Sequence, residues 1–412
     1  MPDPARNTLA IVGAGPIGLE AAAAALEQGL DVHVFERGEV GAHPLAWGHV
    51  AMFTPWRMNV GPATARRLAV RGVKLPEPDA LPTGAELVER VLRPLAEDPA
   101  LEGRVHAHAE VVQISRRGAR KTELIGDPRR RERPFRLLVR DAGGRENLLH
   151  AFAVVDASGT YATPNHAGTG GMPARGEQYL APQLSYHVDD VRGLRRERHA
   201  GRRTLVIGGG DSAITTVAAL AALAAEAPGT SVAWVTRRAV PAFAVELAND
   251  ALPARAALHA AGRRLIGGAD PNVTWTGGAE VEGFEFNSAT HRYRVALVVN
   301  GEPRLEEADQ VIVNCGYGPD ESLYRELQIH QCYASLGPMK LSAAILGAGT
   351  SDCTEVPAFG VEQLRNPEPD FWIVGAKSYG RWNSFLLETG YRQVADVVAQ
   401  IAKEQAESAP TG

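Results

Sequence analysis

Cysteine is scarce in this sequence: three residues in 412, Cys315, Cys332 and Cys353, with no C-x-x-C pair and no metal-ligand spacing. So sparse and odd a count excludes a disulfide scaffold and points to a reducing compartment; no metal site is expected. No run reaches the roughly 18 apolar residues that a membrane-spanning helix needs. Met1-Pro2-Asp3-Pro4-Ala5-Arg6 lacks the apolar core of a signal peptide, so a cytoplasmic address is expected. Basic charge is not in excess either: 43 Lys and Arg stand against 48 Asp and Glu, a net charge of −5. Nucleic-acid binding relies on clustered cations that neutralise phosphates, so a general role of that kind is excluded. The rest is an ordinary globular composition, 45% hydrophobic and 22% charged, in a chain long enough for two or three domains.

Two segments share one grammar: apolar strand, glycine-rich turn, alanine-rich helix, apolar strand. The first runs Thr8–Val12, Gly13-Ala14-Gly15-Pro16-Ile17-Gly18, a helix to about Gln28, a stop at Gly29 and the strand Asp31–Phe35. The second runs Arg203–Ile207, Gly208-Gly209-Gly210-Asp211-Ser212-Ala213, a helix to about Ala227 and the strand Ser231–Val235. Between them the pattern predicts a helix over Ala85–Ala96 and strands near Val111–Ser115, Phe135–Arg140 and Leu148–Val155. Arg129-Arg130-Arg131-Glu132-Arg133 reads as a solvated hairpin tip, and Pro164–Arg175 as an interdomain linker. Strands over Arg292–Val299, Gln310–Asn314 and Phe371–Val374 follow, and a helix from Ser384 to about Lys403 closes the pattern.

Gly13-x-Gly15-x-x-Gly18 follows a strand and opens a helix, with Pro16 inside it. Its glycines allow a tight turn and let the backbone approach a pyrophosphate resting on the helix N-terminus. Glu36 closes the second strand, the place for a carboxylate that accepts hydrogen bonds from a ribose hydroxyl, and Arg37 follows it. An adenosine ribose belongs to FAD and is missing from FMN. In the second copy, Gly208-x-Gly210-x-x-Ala213, the third slot is alanine, and Asp211 and Ser212 lie between. Its second strand ends in Thr236-Arg237-Arg238 with no acid. A carboxylate there would repel a 2′-phosphate, whereas guanidinium groups clamp one, so NADPH is expected over NADH.

On these motifs the chain resembles the two-dinucleotide-binding-domain flavoproteins, which include thioredoxin-reductase-like enzymes and flavin-containing monooxygenases. Asp156-Ala157-Ser158-Gly159-Thr160 and Asn314-Cys315-Gly316-Tyr317-Gly318-Pro319 are similar to the turns that join the two domains of that group. The resemblance implies an α/β fold of two Rossmann-like domains. A discontinuous FAD domain, residues 1–170 and 311–412, would carry an inserted NADP domain, residues 175–310. It also implies FAD contacts at Trp56, Asn59, Val112, Ala157, Ser158, Gly159, Gly375 and Ala376. Three departures stand out. The redox-active C-x-x-C of disulfide reductases is missing. The F-x-G-x-x-x-H signature of many monooxygenases is not intact, although His187 lies upstream of Gly208 as its histidine would; it reads as a hinge or nicotinamide contact, or as a packed histidine. Gly375-Ala376 stands where the group often has Gly-Asp on the ribityl chain.

The aromatic segment around Trp47 and Trp56, and the loop Lys377–Asn383, read as flavin or substrate walls, or as packing. Lys377 and Arg381 are catalytic candidates: beside a helix N-terminus they would stabilise reduced flavin, or bind an acidic substrate group or the cofactor's phosphates. No motif activates Cys353. A flavin carries the redox chemistry and the protein supplies position and electrostatics. The expected reaction is hydride transfer from NADPH, then oxygenation of a small organic substrate by molecular oxygen through a flavin hydroperoxide. A reductase serving a protein such as ferredoxin, or a non-catalytic redox sensor, are the alternatives. Neither a nucleic-acid nor a membrane partner is expected, and the oligomeric state stays open.

Overall fold

Aliphatic and β-branched runs form the strands, and the glycine- and alanine-rich stretches between them form turns and helices. The computed structural model describes residues 8–245, 250–348, 354 and 359–408. In chain order the strands are β1 (Thr8–Val12), β2 (Asp31–Phe35), β3 (Val105–His106), β4 (Glu110–Arg116), β5 (Phe135–Arg140), β6 (Glu146–Ala151), β7 (Ala153–Asp156), β8 (Arg203–Ile207), β9 (Ser231–Thr236), β10 (Val273–Gly277), β11 (Ala279–Asn287), β12 (Arg292–Val299), β13 (Glu302–Ala308), β14 (Gln310–Val313) and β15 (Phe371–Ile373). The longer helices are α1 (Pro16–Glu27), α2 (Pro62–Val70), α3 (Asp211–Glu226), α4 (Pro253–Ile266), α5 (Met339–Gly347) and α6 (Leu387–Ser408). Two compact units result: Met1–Thr163 with Gly318–Gly412, and Pro164–Tyr317. The expectations about the N-terminal residues and Cys353 lie outside the described residues.

In the first unit β1 holds the centre of a parallel sheet of order β15-β7-β1-β2-β3. Side chains alternate between its faces. Leu9 and Ile11 pack with residues of α1 and α6, whereas Ala10 and Val12 pack against the antiparallel sheet of β4, β5 and β6. Ala21, Ala22, Ala23 and Ala25 of α1 are fully buried, and their small side chains let α6 lie close. Glu20, also buried in α1, caps α2 from the side: its carboxylate accepts from the backbone N–H groups of Ala63 (2.9 Å) and Thr64 (2.8 Å). The expected helix over 85–96 is a continuous helical stretch with a π-turn at Val88–Leu92, begun by a Thr83/Glu86 capping box.

The basic segment at 129–133 differs from expectation. Arg130 is buried and grips Glu368 (2.6 Å), which Arg116 also meets at 2.8 Å. Arg131 pairs with Asp370 (2.6 Å) and with Glu404. A buried carboxylate needs such partners, so Arg130 anchors a tip whose other four residues are exposed as expected. The closing helix begins at Leu387, three residues later than expected.

In the second unit β8 lies between β9 and β14 in a parallel sheet of order β10-β9-β8-β14. Leu205 and Ile207 pack with Val281, Val295 and Leu297 of the antiparallel sheet β11-β12-β13, and Val206 packs with Ile214, Val217 and Leu220 of α3. The segment from 164 to 175 is not a free linker: Gly168 pairs with Val281 and Arg175 with Gly283, which extends the edge at β11. Among the described residues no helix is long and apolar enough to cross a membrane.

Candidate functional site

The strand order of the first unit reverses at β1, with β2 on one side and β7 on the other, and the first glycine loop leaves β1 at that point. Open α/β sheets bind ligands in the crevice outside the carboxyl ends of such strands. Gly13 has φ +101°, and a Cβ there would lie 2.8 Å from the Ala157 carbonyl oxygen. A Cβ on Gly18 would collide with the Gly13 carbonyl. Gly15 differs: a Cβ there would meet nothing within 4 Å, so the space beside it is open. No side chain caps α1, whose first turn carries Pro16 and no acid. Its free N–H groups and dipole therefore suit an anion. Glu36 is oriented by two backbone donors, Ala14 N–H to one carboxylate oxygen and Gly38 N–H to the other, both at 2.9 Å. Each oxygen keeps accepting capacity for a ribose hydroxyl.

The turn Ala157-Ser158-Gly159 after β7 forms the wall behind Gly13. Beneath it lies a buried polar cluster. Asp156, 0% exposed, accepts from the Ser158 N–H (3.1 Å) and hydroxyl (2.6 Å). Lys377, 1% exposed, places its Nζ 2.7 Å from the other Asp156 oxygen and donates to Ser158 Oγ (3.1 Å). The same ammonium lies 5.0 Å from the centroid of the Tyr324 ring. Burial first, and the nearby Asp156 charge second, push the Tyr324 phenol well above its ordinary range. The Lys377 amine is thus committed to the crevice floor. Arg381 is exposed, its backbone N–H donating to the Ser335 carbonyl (2.7 Å). Gly375, at φ +71°, packs on Ile17 and donates its N–H to Gln393 (2.8 Å); Ala376 is half-buried beside it.

Arg37 is exposed, 3.5 Å from a His43 ring nitrogen. Val112 sits at a bulge in β4, where the ladder to β5 steps from Val111 to Gln113 and skips it. Trp56 and Asn59 lie in one short helical turn, Trp56–Asn59. Trp56 is 4% exposed within the core. The Asn59 amide donates to the Thr54 and Pro55 carbonyls (2.7 and 3.0 Å) and accepts from the Thr54 hydroxyl (2.8 Å). The Asn59 side chain is used to build the 54–59 turn.

The second unit repeats the construction. Gly208 has φ +143°, and a Cβ there would collide with the Asn314 carbonyl at the end of β14; beside Gly210 the space is open. Ala213 fills the third slot fully buried, and Ser212 lends its carbonyl to Thr216 (2.9 Å). Arg237 and Arg238 follow β9 and are exposed. Asp211, the first residue of α3, is held by His259 of α4, with Nε2 to Oδ1 at 2.7 Å. Neither His259 nor Asp156 and Tyr324 stands out in the sequence; an acid closing a parallel strand, as Asp156 does, was the one available signal. His187 stacks on Tyr317 and lies 3.1 Å from its hydroxyl, and burial lowers the imidazole below its usual range. Burial, then Glu177, push the Cys315 thiol up to about 12, which disfavours its thiolate.

The family model described as pyridine nucleotide-disulphide oxidoreductase matches residues 8–41, the segment of β1, the first glycine loop and β2. A search of curated sequences finds no match. Among solved structures the chain is similar to bacillithiol disulfide reductase from Bacillus cereus: 17% identity, 97% of this chain and 99% of that one covered, TM-score 0.68. This chain has the two-dinucleotide-binding-domain fold. The same fold extends to ornithine N-hydroxylase from Kutzneria, solved with reduced FAD, NADP+ and L-ornithine (17% identity, 98% and 100% covered, TM-score 0.62). It extends also to a flavin-containing monooxygenase from Stenotrophomonas maltophilia (18% identity, 97% and 99% covered, TM-score 0.56). The expectation of an α/β chain with two Rossmann-like domains is met.

Proposed function

We propose that this chain is an FAD-dependent oxidoreductase reduced by NADPH, and that it oxygenates a small organic substrate with molecular oxygen. The contrast between the two glycine loops carries the reading. Both leave open space beside their second glycine, yet one is flanked by Glu36 and the other by Arg237 and Arg238. The acid suits the adenosine ribose of FAD; the exposed guanidinium groups suit the 2′-phosphate of NADPH. In this reading FAD belongs to the unit Met1–Thr163 with Gly318–Gly412, and NADPH to the unit Pro164–Tyr317.

FAD, when bound, supplies two-electron redox chemistry and reactivity toward oxygen. Gly13, Gly15, Pro16 and Gly18 would receive its pyrophosphate, Glu36 and Arg37 its adenosine end and Val112 its base. Ala157, Ser158, Gly159, Gly375 and Ala376 would wall the remainder. Gly208, Gly210, Ser212 and Ala213 would hold the NADPH pyrophosphate, with Asp211 beside them at the start of α3. The overall reaction takes NADPH, a proton, dioxygen and substrate to NADP+, water and substrate carrying one oxygen. Oxygen is favoured over a thiol route because the sequence has no C-x-x-C and the Cys315 thiol is held protonated. The ornithine N-hydroxylase of the same fold acts on a small molecule, which agrees with a small substrate here.

The test is to mix the purified yellow protein with NADPH in air and a panel of amines and thioethers. The expected result is NADPH oxidation matched by oxygen uptake and an oxygenated product. Peroxide alone with every substrate would overturn the oxygenase reading, and an absence of flavin would overturn the whole.

A further inference from the structure

We propose that His259 sets the affinity of the second unit for NADP(H) by holding the Asp211 carboxylate away from the phosphate-binding turn. The inference rests on reading that unit as the nicotinamide nucleotide site. It arises from a difference between two otherwise matching loops. The first turn of α1 carries no acid, with Pro16 at its start, whereas α3 starts with Asp211 directly after the open Gly210. A helix N-terminus favours negative charge, but it offers one positive field to the carboxylate and the pyrophosphate alike. Left free beside that turn, Asp211 would compete with the phosphates and repel them.

The structure shows what restrains it. His259 projects from α4 and brings Nε2 to 2.7 Å from Asp211 Oδ1; the imidazole is 16% exposed and the carboxylate 42%. The ring is backed by a rigid aromatic ledge, since it lies tilted on Phe243 at 6.4 Å and Phe243 stacks on Trp234 at 5.4 Å. Gly262 lets α4 reach that ledge: a Cβ there would stand 3.0 Å from the Phe243 ring. The other cations on that face of α4 are engaged elsewhere. Arg255 pairs with Asp250 at 2.7 Å, and Arg263 donates to the Phe243 carbonyl at 3.1 Å. His259 is therefore a positioning residue, acting on the nucleotide through Asp211.

A double-mutant cycle tests this on the full-length protein, with NADP+ binding measured by calorimetry and folding checked by melting temperature. His259→Ala should weaken NADP+ on the order of 10-fold at low salt, and the loss should shrink as salt screens the freed charge. Asp211→Asn should bind NADP+ at least as tightly as the wild type. Asp211→Asn added to His259→Ala should restore affinity to within about threefold of wild type, since the repelling charge is gone. His259→Gln, which keeps a hydrogen bond, should lose less than His259→Ala and serves if the alanine variant does not fold. A double variant as weak as His259→Ala, or a His259→Ala that binds like the wild type, would overturn the proposal. Wild-type protein that binds no NADP+ would instead refute the nucleotide reading itself.

Discussion

Replacing Lys377 by Met isolates the buried pair beneath the first glycine loop. Lys377 and Asp156 are 1% and 0% exposed, so solvent does not screen their attraction. Met keeps much of the side-chain volume, so the main change is electrical: Asp156 is left with only the two Ser158 hydrogen bonds. Breaking a buried pair from one side costs about 3–5 kcal/mol. For a unit of this size about 2–4 °C of melting temperature goes with each kcal/mol, so the drop should be roughly 6–20 °C. Lys377→Met combined with Asp156→Leu removes both charges and should recover most of the loss, because a hydrophobic replacement of a buried pair is about neutral. Scanning calorimetry on the three proteins makes the comparison. The turn that the pair steadies touches Gly13, so the single variant should also release flavin more readily on dialysis. A Lys377→Met melting within about 2 °C of wild type would refute the argument, as would a double variant melting no higher than the single.

Other outcomes follow from the same geometry. Arg237→Ala and Arg238→Ala should each weaken NADPH roughly 10- to 100-fold and leave NADH nearly unchanged, as expected for a lost charge-assisted hydrogen bond of about 1.5–3 kcal/mol; steady-state KM values for both nucleotides decide, and a wild type preferring NADH would contradict it. A protein with Cys315, Cys332 and Cys353 changed to Ser should still be bleached by NADPH under anaerobic conditions; folded, flavin-loaded protein that fails to bleach would show that a thiol takes part. His33 and His106 share a 2.9 Å hydrogen bond, and burial holds both imidazoles below their ordinary range. Below about pH 6.5 the unfolded chain therefore binds protons that the folded one resists, so stability is unaffected above that pH and is lost as pH falls toward the folded values. Melting curves from pH 7.5 to 5 should slope downward on acidification, and less so with both residues changed to Gln; an unchanged slope in that variant would assign the effect elsewhere.

The two strand–turn–helix units were legible because their signals are local. Ile11 and Val12 before Gly13, Pro16 at a helix start and Gly29 at its end each depend on residues a few positions away. Glu36 and Arg237 were legible as charges at strand ends for the same reason. The segment at 129–133 was misread because its partner, Glu368, lies 238 residues from Arg130. Five charged residues in a row look solvated until the chain returns with a buried carboxylate. At Trp56 and Asn59 aromatic and amide groups suggested a cofactor wall or packing; the structure shows Trp56 in the core and Asn59 bonded within its own turn.

By itself the sequence determined where the backbone turns tightly, where helices start, and which sign of charge stands at each strand end. Those properties are set within one supersecondary unit, over which φ, helix capping and period-two burial act directly. Only the tertiary structure decided which charges meet. Lys377 reaches Ser158 across 219 positions and His259 reaches Asp211 across 48, because parallel strands bring the ends of distant segments to one crevice. An ion pair's strength depends on the distance and burial of both partners, and neither quantity exists until the crossovers have closed.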